Sequence, residues 1–260
     1  MPLPEFPQTI YQNNPLDHVI CQLRFPPILK IDAQAPFEFQ DVIRRDYPLY
    51  NMSKEGQPDL PFGVSGQLPS GAMGMPAADK MNYQFYTEDE TWSVNLASNY
   101  IALSTRAYPH WQVFRDHLDL PLRVLTEIYH PAFFSRAGLR YVNVIRRSKL
   151  GLQNQPWAGL IQPHIAGILA NDGLAVEAVQ KNLATEELRI GSGQTLVRLV
   201  HGLASDNHSG EQVYLIDLDF FSDDRLEIAS TFTRLDEFNH QAWKLFNWCI
   251  TARLREALGG

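Results

Sequence analysis

Alternation of apolar and polar positions marks the strands in the first half of the chain. From Val19 to Phe25, the residues Val19, Cys21, Leu23 and Phe25 share one face, with Gln22 and Arg24 opposite. Pro26-Pro27 ends that strand, because proline cannot donate to a ladder. Pro36 opens a short helix through Asp46, with Phe39, Val42 and Ile43 as its apolar stripe, and Tyr47-Pro48 closes it. Residues 48–80 carry scattered proline and glycine and little pattern. They read as a long loop, with room for a short strand at Pro61 to Leu68. A meander follows at Asn82 to Thr87, Thr91 to Ala97 and Tyr100 to Arg106, with Ser98-Asn99 as a hairpin turn. Pro109 then starts a helix whose face carries Trp111, Phe114, Leu118, Leu122, Leu125, Ile128 and Tyr129. Pro121 inside it predicts either a kink or two consecutive helices. Gly138 to Arg147 is the next strand.

The second half repeats the theme. Trp157 to Ala170 is a helical stretch interrupted at Pro163. Leu174 to Asn182, Glu186 to Gly191, Gln194 to Val200 and Gln212 to Phe220 read as four antiparallel strands. A long helix spans about Arg234 to Leu258 with Leu235, Phe238, Ala242, Leu245, Phe246, Cys249, Ile250 and Leu254 on one stripe. Thr233 sits where a cap would, with Asp236 and Glu237 in the first turn. The expected fold class is therefore α+β: two antiparallel-sheet halves, each covered by a long amphipathic helix. The Gly/Gln/Asn/Pro stretch from Gly151 to Pro156 is the boundary, dividing an N-terminal half (1–150) from a C-terminal one (151–260).

Composition changes this picture little. The chain has 260 residues, 45% of them hydrophobic, enough to bury a core without disulfides. Cys21 and Cys249, its two cysteines, both lie in apolar periodic segments and read as buried thiols. Met1 to Tyr11 is proline-rich and shows neither the basic nor the apolar region of a secretory leader, and no stretch has the length of a membrane span. A cytoplasmic location without membrane attachment is expected. The formal net charge of −7 disfavours nucleic acid as a general partner.

The charge is unevenly spread. From Ile128 to Leu150 there is no acidic residue but there are Arg136, Arg140, Arg146, Arg147 and Lys149; from Asp206 to Glu227 there are seven carboxylates and one arginine. Three readings stand. The two regions pair within the fold, they meet across a self-associating interface, or the basic strand grips an anion through its guanidinium forks. Asp217 and Asp219 form a D-x-D on one strand face, a pattern that can hold magnesium with waters and equally the polar face of a half-covered strand. His201 and His208 have weak ligand spacing, and Gly191-Ser192-Gly193 lacks the lysine and the strand-to-helix setting of a phosphate loop. No G-x-S-x-G nucleophile elbow is present.

Several segments together carry a resemblance. They are Asn14-Pro15-Leu16-Asp17-His18-Val19 running to Leu23-Arg24-Phe25-Pro26, Phe39 to Arg44 before Tyr47-Pro48, Tyr108 to Phe114, and Ser135-Arg136-Ala137-Gly138-Leu139-Arg140-Tyr141-Val142-Asn143. The Asp217 to Phe220 strand and the closing helix with Phe246, Ile250 and Thr251 complete the set. The chain resembles a sporadically distributed family of bacterial and archaeal proteins of about this length. Its most specific part is the R-x-G-L-R-Y-x-N run at Arg136 to Asn143. That resemblance implies no assigned activity and carries no catalytic residue across; a patchy distribution implies an accessory or defence-associated gene.

The functional expectation is a non-enzymatic binding or assembly protein in such a module. It needs no cofactor and works with a protein partner, a homo-oligomer being one form. Arg136, Arg140, Tyr141, Asn143, Arg146 and Arg147 are the candidate binding residues for an anion or partner. One alternative is a metal-dependent phosphate-ester enzyme using Asp217 and Asp219, with Arg140. The other is a nucleic-acid-binding module using the basic strand Arg136 to Lys149.

Overall fold

The structure, a computed structural model, describes residues 3–54, 81–171, 179, 181–190, 195–206 and 209–259. Nine strands are present among them: β1 (Leu16–Arg24), β2 (Leu49–Lys54), β3 (Met81–Tyr86), β4 (Trp92–Ala97), β5 (Tyr100–Thr105), β6 (Arg136–Ile145), β7 (Asn182–Arg189), β8 (Leu196–Ser205) and β9 (Gln212–Ser222). They form a single sheet in the order β2-β3-β4-β5-β1-β6-β9-β8-β7, antiparallel throughout.

This corrects the expectation of two sheets. The halves are joined by β6 and β9, which pair from Ala137 opposite Ser222 to Ile145 opposite Tyr214. The physical reason lies in β6 itself. Its residues are buried on both faces, so an unpaired edge there would leave ladder N–H and C=O groups buried without partners. The first strand in sequence, β1, sits mid-sheet between β5 and β6.

The helices are α1 (Leu29–Ala33), α2 (Phe37–Ile43), α3 (Trp111–Tyr129), α4 (Pro163–Ala166), α5 (Thr231–Cys249) and α6 (Ala252–Ala257). The expectation of one long helix per half is therefore also corrected, because these helices share one sheet. The main core joins Val19, Cys21 and Leu23 of β1, Leu139 and Tyr141 of β6 and Leu218 and Phe220 of β9 to Phe114 and Leu118 of α3 and Leu235, Phe238 and Leu245 of α5. A second cluster of Val142, Val144, Ala204, Val213 and Leu215 contains strand residues alone and lies on the opposite side of the sheet, which is helix-free among the described residues.

Other boundaries shift. α3 runs through Pro121 as one helix. Leu49 to Lys54, expected in a loop, are the strand β2 on β3; the strand expected at Pro61 to Leu68 lies outside the described residues, as does most of that expected at Leu174 to Asn182. Trp157 to Ala170 forms short turns around α4 rather than a sustained helix. The C-terminal helix is broken into α5 and α6. Ile250 is extended and fully buried, and it bridges to Ile161, while the Thr251 side chain accepts the Leu254 N–H and caps α6. Docking the 160–162 segment on that break outweighs helix continuity. The expected cap at Thr233 is also displaced, since α5 begins at Thr231 after Ser230. Among the described residues, no helix is long and apolar enough to cross a membrane.

Candidate functional site

The strand period of two divides the R-x-G-L-R-Y-x-N run between the two sides of the sheet. Arg136 and Arg140 project on the helix-free side and Tyr141 and Asn143 on the helix side, so the sequence-predicted binding residues do not form one cluster.

On the helix-free side the arginines meet carboxylates of the same chain. Arg140 Nε donates to Asp217 Oδ1 at 2.8 Å and Nη2 donates to Oδ2. Burial pulls the Arg140 guanidinium down, but the hydrogen bond and charge of Asp217 outweigh it and hold its pKa above the ordinary value. Arg136 donates to Asp223 at 3.1 Å, approaches Asp219 at 3.8 Å and lies over the Phe221 ring at 4.3 Å. Arg146 bridges Asp206 at 2.8 Å and Asp17 at 3.2 Å. Arg147 donates to the Gln155 carbonyl and stacks its guanidinium over Trp157.

Asp219 is pushed above the ordinary carboxylate range by burial, against the pull of Arg136 and Arg140. Asp217 is buried with both carboxylate oxygens engaged by Arg140. Among the described residues, no group of three or more His, Cys, Asp or Glu side chains comes together as a metal site. His201 contacts the Tyr214 hydroxyl and Glu186, and its expected companion His208 lies outside the described residues.

The helix side holds a cavity of about 590 Å³. Its floor is Tyr141 and Asn143 of β6 with Leu218 of β9. One wall is Asn239, Ala242, Trp243 and Phe246 of α5. The rims are the N-terminal segment at Gln8–Tyr11 and the β5–α3 connection at Tyr108–Gln112. Local chemistry holds each part. The Tyr141 hydroxyl donates to Asn239 Oδ1 at 2.9 Å, tying the sheet to α5. Asn143 Nδ2 donates to the Ile216 carbonyl at 3.1 Å, and Tyr108 packs edge-on against Tyr141. Asn14 Nδ2 donates to the Tyr108 carbonyl, joining the two rims. Trp111 Nε1 and Arg115 Nη1 both donate to Asp236, fastening α3 to α5 beside the mouth.

The cavity is electrically neutral in character. Its lining has aromatic rings, amides and aliphatic groups, with His110 the sole ionisable side chain apart from phenols. Burial pushes Tyr11 and Tyr108 up to about 12 and raises Tyr141 well above the ordinary phenol value, so all three phenols stay protonated donors.

Sequence reasoning found Tyr141 and Asn143 but missed the N-terminal rim and the α5 wall. One signal was present: Asn239 and Ala242 fall in phase with Leu235 and Phe246 on the apolar stripe of α5. An amide and a small residue among large apolar ones mark a place where the helix leaves space. Comparison with protein-family models and with curated proteins gave no match, so the site rests on its geometry.

Proposed function

We propose that this chain is a binding or assembly protein without catalytic activity of its own. It belongs to the family that its R-x-G-L-R-Y-x-N run resembles, serves in an accessory or defence-associated module, and takes its ligand or partner segment in the groove between β6 and α5. The observation that carries this reading is the lining of the cavity between β6 and α5. Six aromatic rings (Tyr11, Tyr108, Trp111, Tyr141, Trp243 and Phe246) and five amides (Gln8, Asn14, Gln112, Asn143 and Asn239) surround it, with no carboxylate, lysine or arginine. A concave, largely apolar site with a few placed polar groups suits recognition. General acid–base catalysis instead wants groups titrating near working pH, whereas Tyr11 and Tyr108 are held near 12.

The metal-dependent phosphate-ester enzyme draws on Asp217, Asp219 and Arg140 and the nucleic-acid-binding module on Arg136 to Lys149; of these, Arg136, Arg140 and Arg146 already pair with carboxylates that include Asp217 and Asp219. Their mutual neutralisation favours the groove.

The test is a photo-crosslinking amino acid at Gln112, an exposed rim position, in the intact chain inside its native cells. Adducts are expected at Gln112, are expected to disappear when Ala242→Trp fills the groove, and are not expected from the same crosslinker at Thr185 on the helix-free face. Adducts indifferent to Ala242→Trp, or turnover of a phosphate ester that Asp217→Asn abolishes, would overturn the reading.

A further inference from the structure

We infer that the occupant of the groove is an extended, uncharged, proline-containing segment of a partner protein, an inference that rests on the groove being the binding site. Three observations lead there. The first is how the chain treats its own N-terminal segment. Residues 3–15 form neither helix nor strand, turn at Gln12-Asn13 and include Pro4, Pro7 and Pro15. They lie along α5, where Trp243 Nε1 donates to the Phe6 carbonyl and the Tyr11 ring packs on Trp243 and Phe246. A polyproline-type segment makes no internal hydrogen bonds and offers its carbonyls to indole and amide donors, while its flat faces suit aromatic rings. The same two α5 side chains, Trp243 and Phe246, continue into the groove wall. The surface that holds one proline-bearing segment without helix or strand thus runs on into the groove beside it.

The second is the pairing of polar groups on the floor. The Tyr141 hydroxyl occupies the Asn239 carbonyl oxygen, which leaves that amide its N–H group to donate. The Asn143 N–H group is engaged by the Ile216 carbonyl, which leaves its oxygen to accept. A peptide backbone carries one acceptor and one donor per residue and matches this pair.

The third is charge. A lysine or carboxylate brought into a lining without an opposite charge loses its hydration with no compensation, so a charged segment is excluded.

The experiment pans a phage-displayed dodecapeptide library against the intact protein. Enriched peptides are then measured as fluorescein conjugates by anisotropy. Proline-containing sequences without net charge are expected to emerge. Their affinity is expected to fall about tenfold or more with Ala242→Trp, the scale of a blocked interface centre, and to stay unchanged with Thr185→Trp. Asn239→Asp replaces one polar side chain by another of the same shape and keeps the test valid if the tryptophan variant unfolds. It is expected to weaken these peptides and to shift the enriched pool toward lysine and arginine. A charged pool from the unaltered protein, or peptides indifferent to both groove variants, would overturn the inference. If uncharged small aromatics such as adenosine or cytidine bind in a manner sensitive to Ala242→Trp while no peptide does, the groove remains a binding site and the peptide inference fails. If neither class binds and the Gln112 crosslinker yields no adduct, both fail.

Discussion

Arg140 reaches diagonally past Asp219, the residue directly opposite it on β9, to clamp Asp217 with both arms of its guanidinium. The choice leaves Asp219 with Arg136 at 3.8 Å and a carboxyl pushed up by burial. The polarity visible along the chain is therefore closed internally, between strands that are neighbours in the sheet though far apart in sequence.

Breaking this clamp on one side is expected to be costly, because Asp217 is buried and would keep an uncompensated charge. Arg140→Met is expected to lower stability by about 3 kcal/mol, and Asp217→Leu in the same chain to restore much of it. Urea denaturation of the two single variants and the double variant measures the coupling. Strict additivity would show that the pair contributes nothing beyond its separate side chains.

The histidines predict acid sensitivity. His18 is pushed down from the ordinary 6.5 to about 4, first by burial and then by the charges of Arg106 and Arg140, with Asp17 opposing. Between those values the unfolded chain binds a proton that the folded chain refuses, so stability rises with pH across this window. It is fully present above about pH 6.5, lost on descending toward pH 4, and level below that as far as this group is concerned. His117 and His164 are shifted the same way, chiefly by burial. Asp219 acts in the opposite sense, costing stability as pH rises through the upper carboxylate range. Unfolding midpoints across the window are expected to fall with acid, and His18→Gln to reduce the slope. An identical slope in the variant would remove His18 from the explanation.

Gly202 on β8 has φ +139°, and a Cβ there would stand 1.7 Å from the Asn182 carbonyl oxygen of β7. The close approach of two backbones demands glycine. Gly202→Ala is expected to cost about 3 kcal/mol through displacement of β7. Thermal unfolding together with hydrogen exchange in β7 measures it; an unchanged midpoint would contradict the argument.

Thr251 holds the helix break. Its hydroxyl accepts the Leu254 N–H and also donates to the Gly159 carbonyl. Thr251→Ala is expected to cost about 1 kcal/mol and Thr251→Ser much less, because serine keeps the capping oxygen. Equal losses in the two variants would point to the methyl group instead of the cap.

Much of this fold was legible in the sequence. β4 could be read because Trp92, Val94 and Leu96 alternate with Ser93 and Asn95, and α3 because its apolar residues repeat at helical spacing. β2 was missed because Leu49 to Lys54 lack a repeated apolar face; it is an edge strand on β3 with Leu49, Tyr50 and Met52 exposed. The break at Ile250 was missed because Ile250 is in phase with the α5 stripe and departs from helix only to pair with Ile161. Of the candidate site, Tyr141 and Asn143 were visible in the run on β6. Tyr11 was not, since its contact with Asn247 spans 236 positions.

The sequence by itself determined the alternation and the stripes. It established that Arg140 and Tyr141 oppose one another across a strand and that Leu235, Phe238, Ala242, Leu245 and Phe246 share one helical stripe. Periodicity expresses the geometry of single elements, and that much is local. Tertiary structure alone decided that the halves share one sheet, which side of β6 the helices cover, and that the arginines find carboxylates while the tyrosine finds a groove. Those outcomes depend on burying both faces of β6 and satisfying its edges at once, a condition met only by strands and helices drawn from across the whole chain.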